Sequence, residues 1–126
     1  MAKLKRIYVA HPLSADTPEG IQRNRESAAR WVAWVFNLGY APVCSWITIT
    51  GVIEDSPDNR ANGLECDKRE VETCDEIWMV GGRISSGMKT EGEHAILHNI
   101  VARDWTYLGP NPPSLDWTLC PKRWRP

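Results

Sequence analysis

A serine-glycine turn and two acidic residues follow one another in the stretch SSGMKTEGEHA, from Ser85 to Ala95. Free backbone N–H groups at such a turn could receive an anion, because the first N–H groups of a helix lack partners. Glu91 and Glu93 fall in the first turn of a helix that the sequence predicts from about Thr90 to Asn99. An acidic residue there also complements the helix dipole without any further role. The stretch therefore predicts either a site that combines amide donors with a carboxylate or an ordinary helix start.

Two aspartates earlier in the chain add carboxylates to this region. Asp75 falls just before the apolar stretch EIWMV, where a turn or cap role is expected, and Asp67 lies eight residues earlier on a predicted helix. Carboxylates from separate elements that converge on one cleft can act as nucleophile and as acid or base, which is the arrangement of glycosidic bond cleavage. Glu91 and Asp67 are therefore candidate catalytic residues.

A metal site is the competing hypothesis for the same helix. Glu91, His94 and His98 share one helical face, at spacings of three and four residues, and could bind a divalent metal. Their order differs from the HExxH pattern of zinc hydrolases, and no matching cluster stands elsewhere in the sequence. The sequence therefore favours local partners for both histidines, and we expect neither a metal nor a cofactor.

Hydrophobic periodicity predicts the elements that must position these residues. Strands and helices alternate along the chain: a strand in LKRIYVA, a helix over 18–38, a strand in YAPVCSW, a helix over 64–75, a strand in EIWMVGG, the helix of the opening stretch, and one further short strand in IVARDWTYLG. This order predicts an α/β fold, a Rossmann-like or flavodoxin-like open parallel sheet with helices on both faces. Such sheets bind ligands beyond the carboxyl ends of their strands, where AHPLS, CSWIT and GGRISSG fall.

Composition narrows the functional classes. The 126 residues predict one domain over 1–109, with a Pro/Trp-rich tail over 110–126 packed on it. A formal net charge of −1 argues against binding a nucleic-acid polymer, and no apolar run approaches the ~20 residues of a membrane span. The start MAKLKRIYVAHPL predicts a strand rather than a secretory signal, and the four cysteines lack a CxxC pair, so we expect a cytoplasmic protein.

A stripe of Trp31, Trp34 and Leu38 suggests either core packing or a contact with a partner subunit.

Three motifs together resemble the nucleoside 2-deoxyribosyltransferase superfamily, which includes the 2′-deoxynucleoside 5′-phosphate N-hydrolases. They are IYVAHPL, the spacing of Asp67 and Asp75 ahead of EIWMV, and SSGMKTEGEHA, within a resemblance that runs from Lys5 to about Ala102. The last family motif runs approximately Ser-x-Gly-x-x-x-Glu-x-Gly-x-Ala, and the matching residues here are Ser85, Gly87, Glu91 and Ala95. The chain departs from the family in having Glu93 at the second glycine, and His11-Pro12-Leu13 where the nucleotide hydrolases have a glycine-serine loop.

The resemblance implies a nucleoside or nucleoside monophosphate as substrate and a homo-oligomer as the working form. Glu91 would attack C1′ of the sugar, Tyr8 would fix the Glu91 rotamer, and Asp67 would help the departing base take up a proton. Ser85, Ser86, Gly87 and Met88 would hold the 5′ end of the substrate. By their positions at the ends of the first and second strands, His11, Pro12 and Trp46 are further candidates for substrate binding, with a structural role as the alternative. The alternative is a nucleotide-binding or sensing protein of the same fold without turnover. The base, the sugar, the need for a 5′-phosphate, and hydrolysis against transfer stay open.

Overall fold

The computed structural model describes residues 3–113 and shows an α/β domain built on a four-stranded parallel sheet. The strands stand in the order β2-β1-β3-β4, and every neighbouring pair is parallel. Their bounds are Arg6–Ala10 for β1, Ala41–Val43 for β2, Glu76–Met79 for β3 and Val101–Asp104 for β4. The predicted open parallel sheet and the short fourth strand are confirmed.

Four α-helices connect the strands, and a short 3₁₀ helix follows the last strand. The helices are α1 at Pro18–Asn37, α2 at Trp46–Val52, α3 at Pro57–Val71 and α4 at Ser86–Leu97, and the 3₁₀ helix spans Thr106–Leu108. Thr17 and Ser56 cap α1 and α3, because each side chain accepts a backbone N–H three residues on and each is followed by a proline at the first helical position. Gly39, with φ of +95°, lets the chain turn away after α1.

Alternate strand residues pack against different helices, which places helices on both faces of the sheet. On one face, Ile7, Val9, Trp78 and Val80 pack with Trp31, Trp34 and Val35 of α1. On the other face, Tyr8, Ala10, Ile77 and Met79 pack with Val71 of α3 and with Met88 and Ala95 of α4. The side-chain period of two in a strand thus directs Tyr8 toward α3 and α4.

Several element bounds differ from the sequence prediction. The connection expected over 47–63 contains α2 and the start of α3, which begins at Pro57 rather than near residue 64. Helix α4 begins at Ser86 rather than near Thr90, because the Ser85 hydroxyl accepts the backbone N–H of Met88 at 3.3 Å and starts the helix earlier. Glu91 consequently lies in the second turn of α4, beyond the reach of a simple first-turn dipole explanation.

The tryptophan stripe of α1 serves the core of its own domain. Trp31 and Trp34 are buried, and the Trp34 ring packs at 5.6 Å from Trp78 and 6.3 Å from Trp105 between ring centres. Leu38, in contrast, is half exposed. The two indoles are therefore covered without a partner subunit, and they give no support to an oligomer.

The predicted tail begins against α1. The Pro110 carbonyl accepts a hydrogen bond from Trp31 Nε1 at 3.0 Å. The remainder of the predicted tail, from residue 114 on, lies outside the described residues. None of the helices within residues 3–113 has the length and apolar character that a membrane crossing requires.

Candidate functional site

A buried tyrosine and a buried glutamate meet on the face of the sheet that α3 and α4 cover. Tyr8 is the third residue of β1, and its hydroxyl donates a hydrogen bond to Glu91 Oε2 at 2.5 Å. Tyr8 is fully buried and Glu91 is 6% exposed. Burial and the neighbouring Glu91 charge raise the pKa of the Tyr8 phenol well above its ordinary value, so the hydroxyl remains a donor at neutral pH.

Asp67, on α3, is the third member of this group. It is half buried, and its carboxyl group interacts with both the Glu91 carboxyl and the Tyr8 hydroxyl. The three residues that the sequence predicted as catalytic are thus brought together from β1, α3 and α4. We call them the Tyr8–Asp67–Glu91 cluster.

The two carboxyl groups of the cluster share one proton near neutral pH. Burial, followed by the charge of Asp67, raises the pKa of Glu91 to about 8. Burial likewise raises the pKa of Asp67 to about 6. Two carboxylates so close together and so poorly solvated cannot both ionise easily, so the proton belongs to the pair. The cluster therefore contains one carboxylic acid and one carboxylate, which are the two forms that acid–base and nucleophilic chemistry require.

Cys44 and Glu70 also belong to this region, and the sequence analysis did not select them. Cys44 follows β2, its Sγ lies 3.6 Å from the Val9 carbonyl oxygen, and burial together with the charges of Glu91 and Asp67 raises the pKa of its thiol. Glu70 lies one turn beyond Asp67 on α3 and accepts both the backbone N–H and the hydroxyl of Ser45, at 3.2 and 2.6 Å. The spacing of three residues between Asp67 and Glu70 was the available signal, because it places both on one helical face.

The serine-glycine turn forms the first turn of α4. The Ser85 hydroxyl is used as the helix cap, and Met88 is buried in the core beside Tyr8. The backbone N–H groups of Ser86 and Gly87 fall among those that have no acceptor within their own helix. Gly87 has open space where a side chain would stand. The turn can therefore present amide donors to an anion, as its sequence predicted.

His11, Pro12 and Trp46 are all buried, but only Trp46 packs in the same apolar cluster as Tyr8, whereas His11 contacts Ser27 of α1. The His11 ring contacts the Pro12 carbonyl through Nδ1 at 2.6 Å and the Ser27 hydroxyl through Nε2 at 2.9 Å. Burial lowers the pKa of His11 to about 4, so the ring is neutral. Trp46 Nε1 donates to the Val9 carbonyl at 3.2 Å. The polar atoms of both side chains are thus already paired inside the protein.

The structure separates Glu91 from His94 and His98, which argues against the alternative in which these three residues bind a metal. Glu91 turns inward to Tyr8, whereas His94 Nε2 lies 2.9 Å from Glu72 Oε2 and His98 Nδ1 lies 2.9 Å from the His94 carbonyl oxygen. Glu91 is buried in the core while the two histidines point away from it, because the wide face of α4 spans both core and surface. The pattern of α4 could not indicate Glu72 as a partner of His94, because Glu72 lies elsewhere in the sequence, directly after α3.

A cavity of about 390 Å³ lies apart from the cluster, near the amino-terminal ends of β1 and β3. Its lining includes the rings of Trp34, Trp78 and Trp105 and the buried carboxylate of Glu76. Glu76 accepts hydrogen bonds from Trp78 Nε1 at 2.9 Å and from the Arg103 guanidinium at 2.6 Å. None of the predicted site residues lines this cavity.

Fold and site together define the class of protein: an α/β domain with a parallel sheet that holds a buried tyrosine and two carboxyl groups on one face. The chain belongs to the family described as a domain of unknown function (DUF7768), whose model matches residues 5–104. The matched span contains all four strands, all four α-helices and the Tyr8–Asp67–Glu91 cluster. No curated protein matches the chain.

Proposed function

We propose that this protein cleaves or transfers the N-glycosidic bond of a (deoxy)nucleoside or nucleoside 5′-monophosphate, with Glu91 as the nucleophile. The observation that carries the proposal is the Tyr8–Asp67–Glu91 cluster, in which a phenol donates a hydrogen bond at 2.5 Å to a buried carboxyl group whose pKa is raised by burial and by the nearby Asp67 charge. The resemblance of the motifs to the nucleoside 2-deoxyribosyltransferase superfamily supplies the substrate class.

In the proposed first step, a Glu91 oxygen bonds to C1′ of the sugar and the bond from C1′ to the base nitrogen breaks. The electron pair of that bond goes to the base, which takes up the proton of Asp67. The transition state is oxocarbenium-like, so a carboxylate beside C1′ stabilises it. In the second step, water or another base attacks C1′ and Glu91 leaves. The proton that the attacking group loses returns to the Asp67 carboxylate.

This mechanism needs the proton on Asp67 and the charge on Glu91 at the moment of attack. Glu91 has the higher pKa of the two and therefore holds the proton before substrate binds. The titrations of the two carboxyl groups are coupled, so we propose that the proton passes from Glu91 to Asp67 when substrate binds and that the Tyr8 hydroxyl then stabilises the charge left on Glu91. Asp67 is the more exposed of the two, which suits the acid that must meet the departing base.

The first turn of α4 is the proposed binding place for the 5′ end of the substrate. The backbone N–H groups of Ser86 and Gly87 and the positive end of the helix dipole favour an anion or a hydroxyl there. Arg83 and Lys89 are exposed on either side of this turn and would add affinity for a phosphate. Trp46, which packs in the same cluster as Tyr8, would contribute an apolar wall next to the sugar and base, whereas the His11 ring is committed to the Pro12 carbonyl and to Ser27.

Base release from a panel of nucleosides and nucleoside monophosphates, followed by chromatography, tests the proposal. We expect Glu91→Gln to lower the rate by at least about a thousandfold, because the amide cannot bond to C1′. Glu93→Gln is the matched control, since Glu93 is an exposed glutamate on the same helix. Base release that persists in Glu91→Ala would overturn the assignment.

A nucleotide-binding or sensing protein is the second candidate, and one observation favours it. Burial raises the pKa of Glu91 to about 8, and a glutamate that is protonated at neutral pH is not a nucleophile. The departures from the family motif at Glu93 and at His11-Pro12-Leu13 point the same way. Saturable binding of a nucleotide by calorimetry, without free base after prolonged incubation, would establish this alternative over the enzyme.

A homo-oligomer working in the cytoplasm is the proposed setting. Phe36 and Leu38, at the end of α1, are exposed apolar side chains that a partner subunit could cover. Cys44, Cys66 and Cys74 are free thiols, as expected in a reducing compartment. Light scattering that finds an active monomer would reject the oligomer.

A further inference from the structure

A second group of chemically capable side chains lies at the surface, where the chain leaves α3 and where α4 ends. It consists of Glu72, His94 and His98, which we call the Glu72–His94–His98 cluster. One ligand atom from each residue lies within 4.8 Å of the others. Glu72 and His94 are half buried and His98 is exposed, so the cluster is rigid on one side and open to solvent on the other.

Existing hydrogen bonds orient the potential ligand atoms. His98 Nδ1 lies 2.9 Å from the His94 carbonyl oxygen, which can only accept, so Nδ1 carries the hydrogen and Nε2 keeps its lone pair. A histidine held in this way through its second nitrogen is the usual arrangement in metal sites. The two imidazole rings lie 4.3 Å apart between centres, and His94 Nε2 faces Glu72 Oε2 at 2.9 Å.

We infer that the Glu72–His94–His98 cluster binds a divalent transition-metal ion of the Zn²⁺ type. Two imidazole nitrogens and one carboxylate oxygen form a donor set that zinc, and ions that resemble it, prefer. Ligand atoms around a tetrahedral zinc stand about 3.3 Å from one another, given bonds of about 2.0 Å. His94 Nε2 and Glu72 Oε2 stand 2.9 Å apart and all three ligand atoms lie within 4.8 Å of one another, so small side-chain rotations bring them to that spacing.

Arg69 is the charge that opposes the metal. Its Nη1 lies 2.8 Å from Glu72 Oε1, but its side chain is 81% exposed and can turn into solvent. Glu72 Oε2 is the oxygen that faces His94, so the carboxylate can bind the metal through one oxygen while the other retains the guanidinium. Three protein ligands leave a fourth position, on the side of the exposed His98, for water or for a ligand from outside.

The inference is independent of the proposed function. The ion would join the end of α3 to the end of α4, and these are the helices that carry Asp67 and Glu91. Glu91 takes no part in the site, which separates it from the metal face that the sequence suggested. Because the metal would bind the folded chain, it should also raise the melting temperature, by an amount that grows with the logarithm of the metal concentration once this exceeds the Kd.

Calorimetric titration of the full, untagged chain with Zn²⁺ tests the inference, with Co²⁺ absorption as a second readout. Cys66 and Cys120 are replaced by serine beforehand, so that these two thiols do not compete for the metal. We expect one ion per chain, a rise in melting temperature, and a loss of affinity of at least about tenfold in Glu72→Gln, His94→Ala and His98→Ala. Glu65→Gln is the matched control, because Glu65 lies on α3 and forms a comparable pair with Lys68.

His98→Ala decides the matter if the other variants fold poorly, because this side chain is exposed and its loss leaves the core intact. Metal affinity that is unchanged in His98→Ala, or that is lost equally in Glu65→Gln, would overturn the inference. No heat and no Co²⁺ spectrum at about 100 μM metal would overturn it as well. Affinity unchanged in Glu91→Gln supports it, since the two clusters are separate.

Discussion

Replacing Glu91 by glutamine should stabilise the protein, and increasingly so as the pH rises. Glutamine keeps an oxygen that can accept the Tyr8 hydroxyl hydrogen, and its NH₂ group can donate to Asp67 in place of the shared proton. Glutamine does not ionise, whereas Glu91 must either hold a proton or place a charge in the core. The substitution therefore removes the ionisation penalty of the site while preserving its shape.

The size of the effect follows from the pKa of Glu91. An unfolded glutamate ionises near pH 4.5, while the folded one ionises only near about 8. Between these values the folded state holds a proton that the unfolded state has released, so the free energy of unfolding falls as pH rises and the loss is complete above about pH 8. At about 1.4 kcal/mol per pKa unit the full loss is roughly 4 to 5 kcal/mol. Because Asp67 takes up part of the same titration, we expect Glu91→Gln to be more stable than the unchanged protein by about 2 to 4 kcal/mol at pH 9, and nearly equal at pH 5.

Urea denaturation at pH 5, 7 and 9, followed by tryptophan fluorescence, measures this difference. Comparing variant and unchanged protein at each pH cancels the contributions of other titrating groups, including His11. Glu93→Gln should track the unchanged protein at all three pH values, because that glutamate is exposed. Equal pH slopes for Glu91→Gln and the unchanged protein, or a less stable Glu91→Gln at pH 9, would refute the buried, proton-sharing carboxyl pair.

Four further outcomes are expected. Tyr8→Phe removes the donor that stabilises the charge on Glu91, so base release should fall by about 10²–10³-fold in kcat with little change in KM. The pH profile of base release should be bell-shaped, with limbs near about 6 and about 8, because Glu91 and Asp67 must together hold one proton. The free energy of unfolding of the unchanged protein should fall as the pH is lowered from 6.5 to 4, because the unfolded histidine gains a proton before the buried His11, whose pKa is about 4. In His11→Gln, urea titrations should show a fall that is smaller by roughly 2 to 3 kcal/mol. Gly81→Ala should lower the free energy of unfolding by roughly 2 to 4 kcal/mol, because φ is +97° there and a Cβ would stand 2.5 Å from the His11 ring; an unchanged melting temperature would contradict this.

Strand patterns and helix caps explain why much of the fold could be predicted from the sequence. The apolar runs at β3 and β1 are each typical of a buried strand. The alternation of side chains along β1 directs Tyr8 toward α3 and α4, the helices that carry the carboxyl groups. The start of α3 was missed although Ser56-Pro57 is the same kind of signal as Thr17-Pro18. The sequence predicts the start of α4 too late because Gly87 is typical of a turn, whereas in the structure Gly87 lies within the first turn of the helix.

Long-range contacts explain what the sequence alone could not supply. A stripe of Trp31 and Trp34 has the same spacing whether its own sheet or a partner covers it, and only the packing against Trp78 decides between them. Glu72 meets His94 across 22 residues of sequence, so the pattern of α4 alone could predict local partners for the histidines but could not identify Glu72 as one of them.

The energetic cost of the Tyr8–Asp67–Glu91 cluster is itself an argument for a function at this place. Ile77, Met79 and Ala95 show that the same face of the sheet packs well with apolar side chains. A leucine at position 91 would avoid the ionisation penalty and the pH-dependent loss of stability that accompanies it. Perturbed carboxyl groups concentrate where a protein moves protons or binds substrates. Two such groups on this face, with a phenol 2.5 Å from the more buried one, are therefore an argument for the proposed role of Glu91.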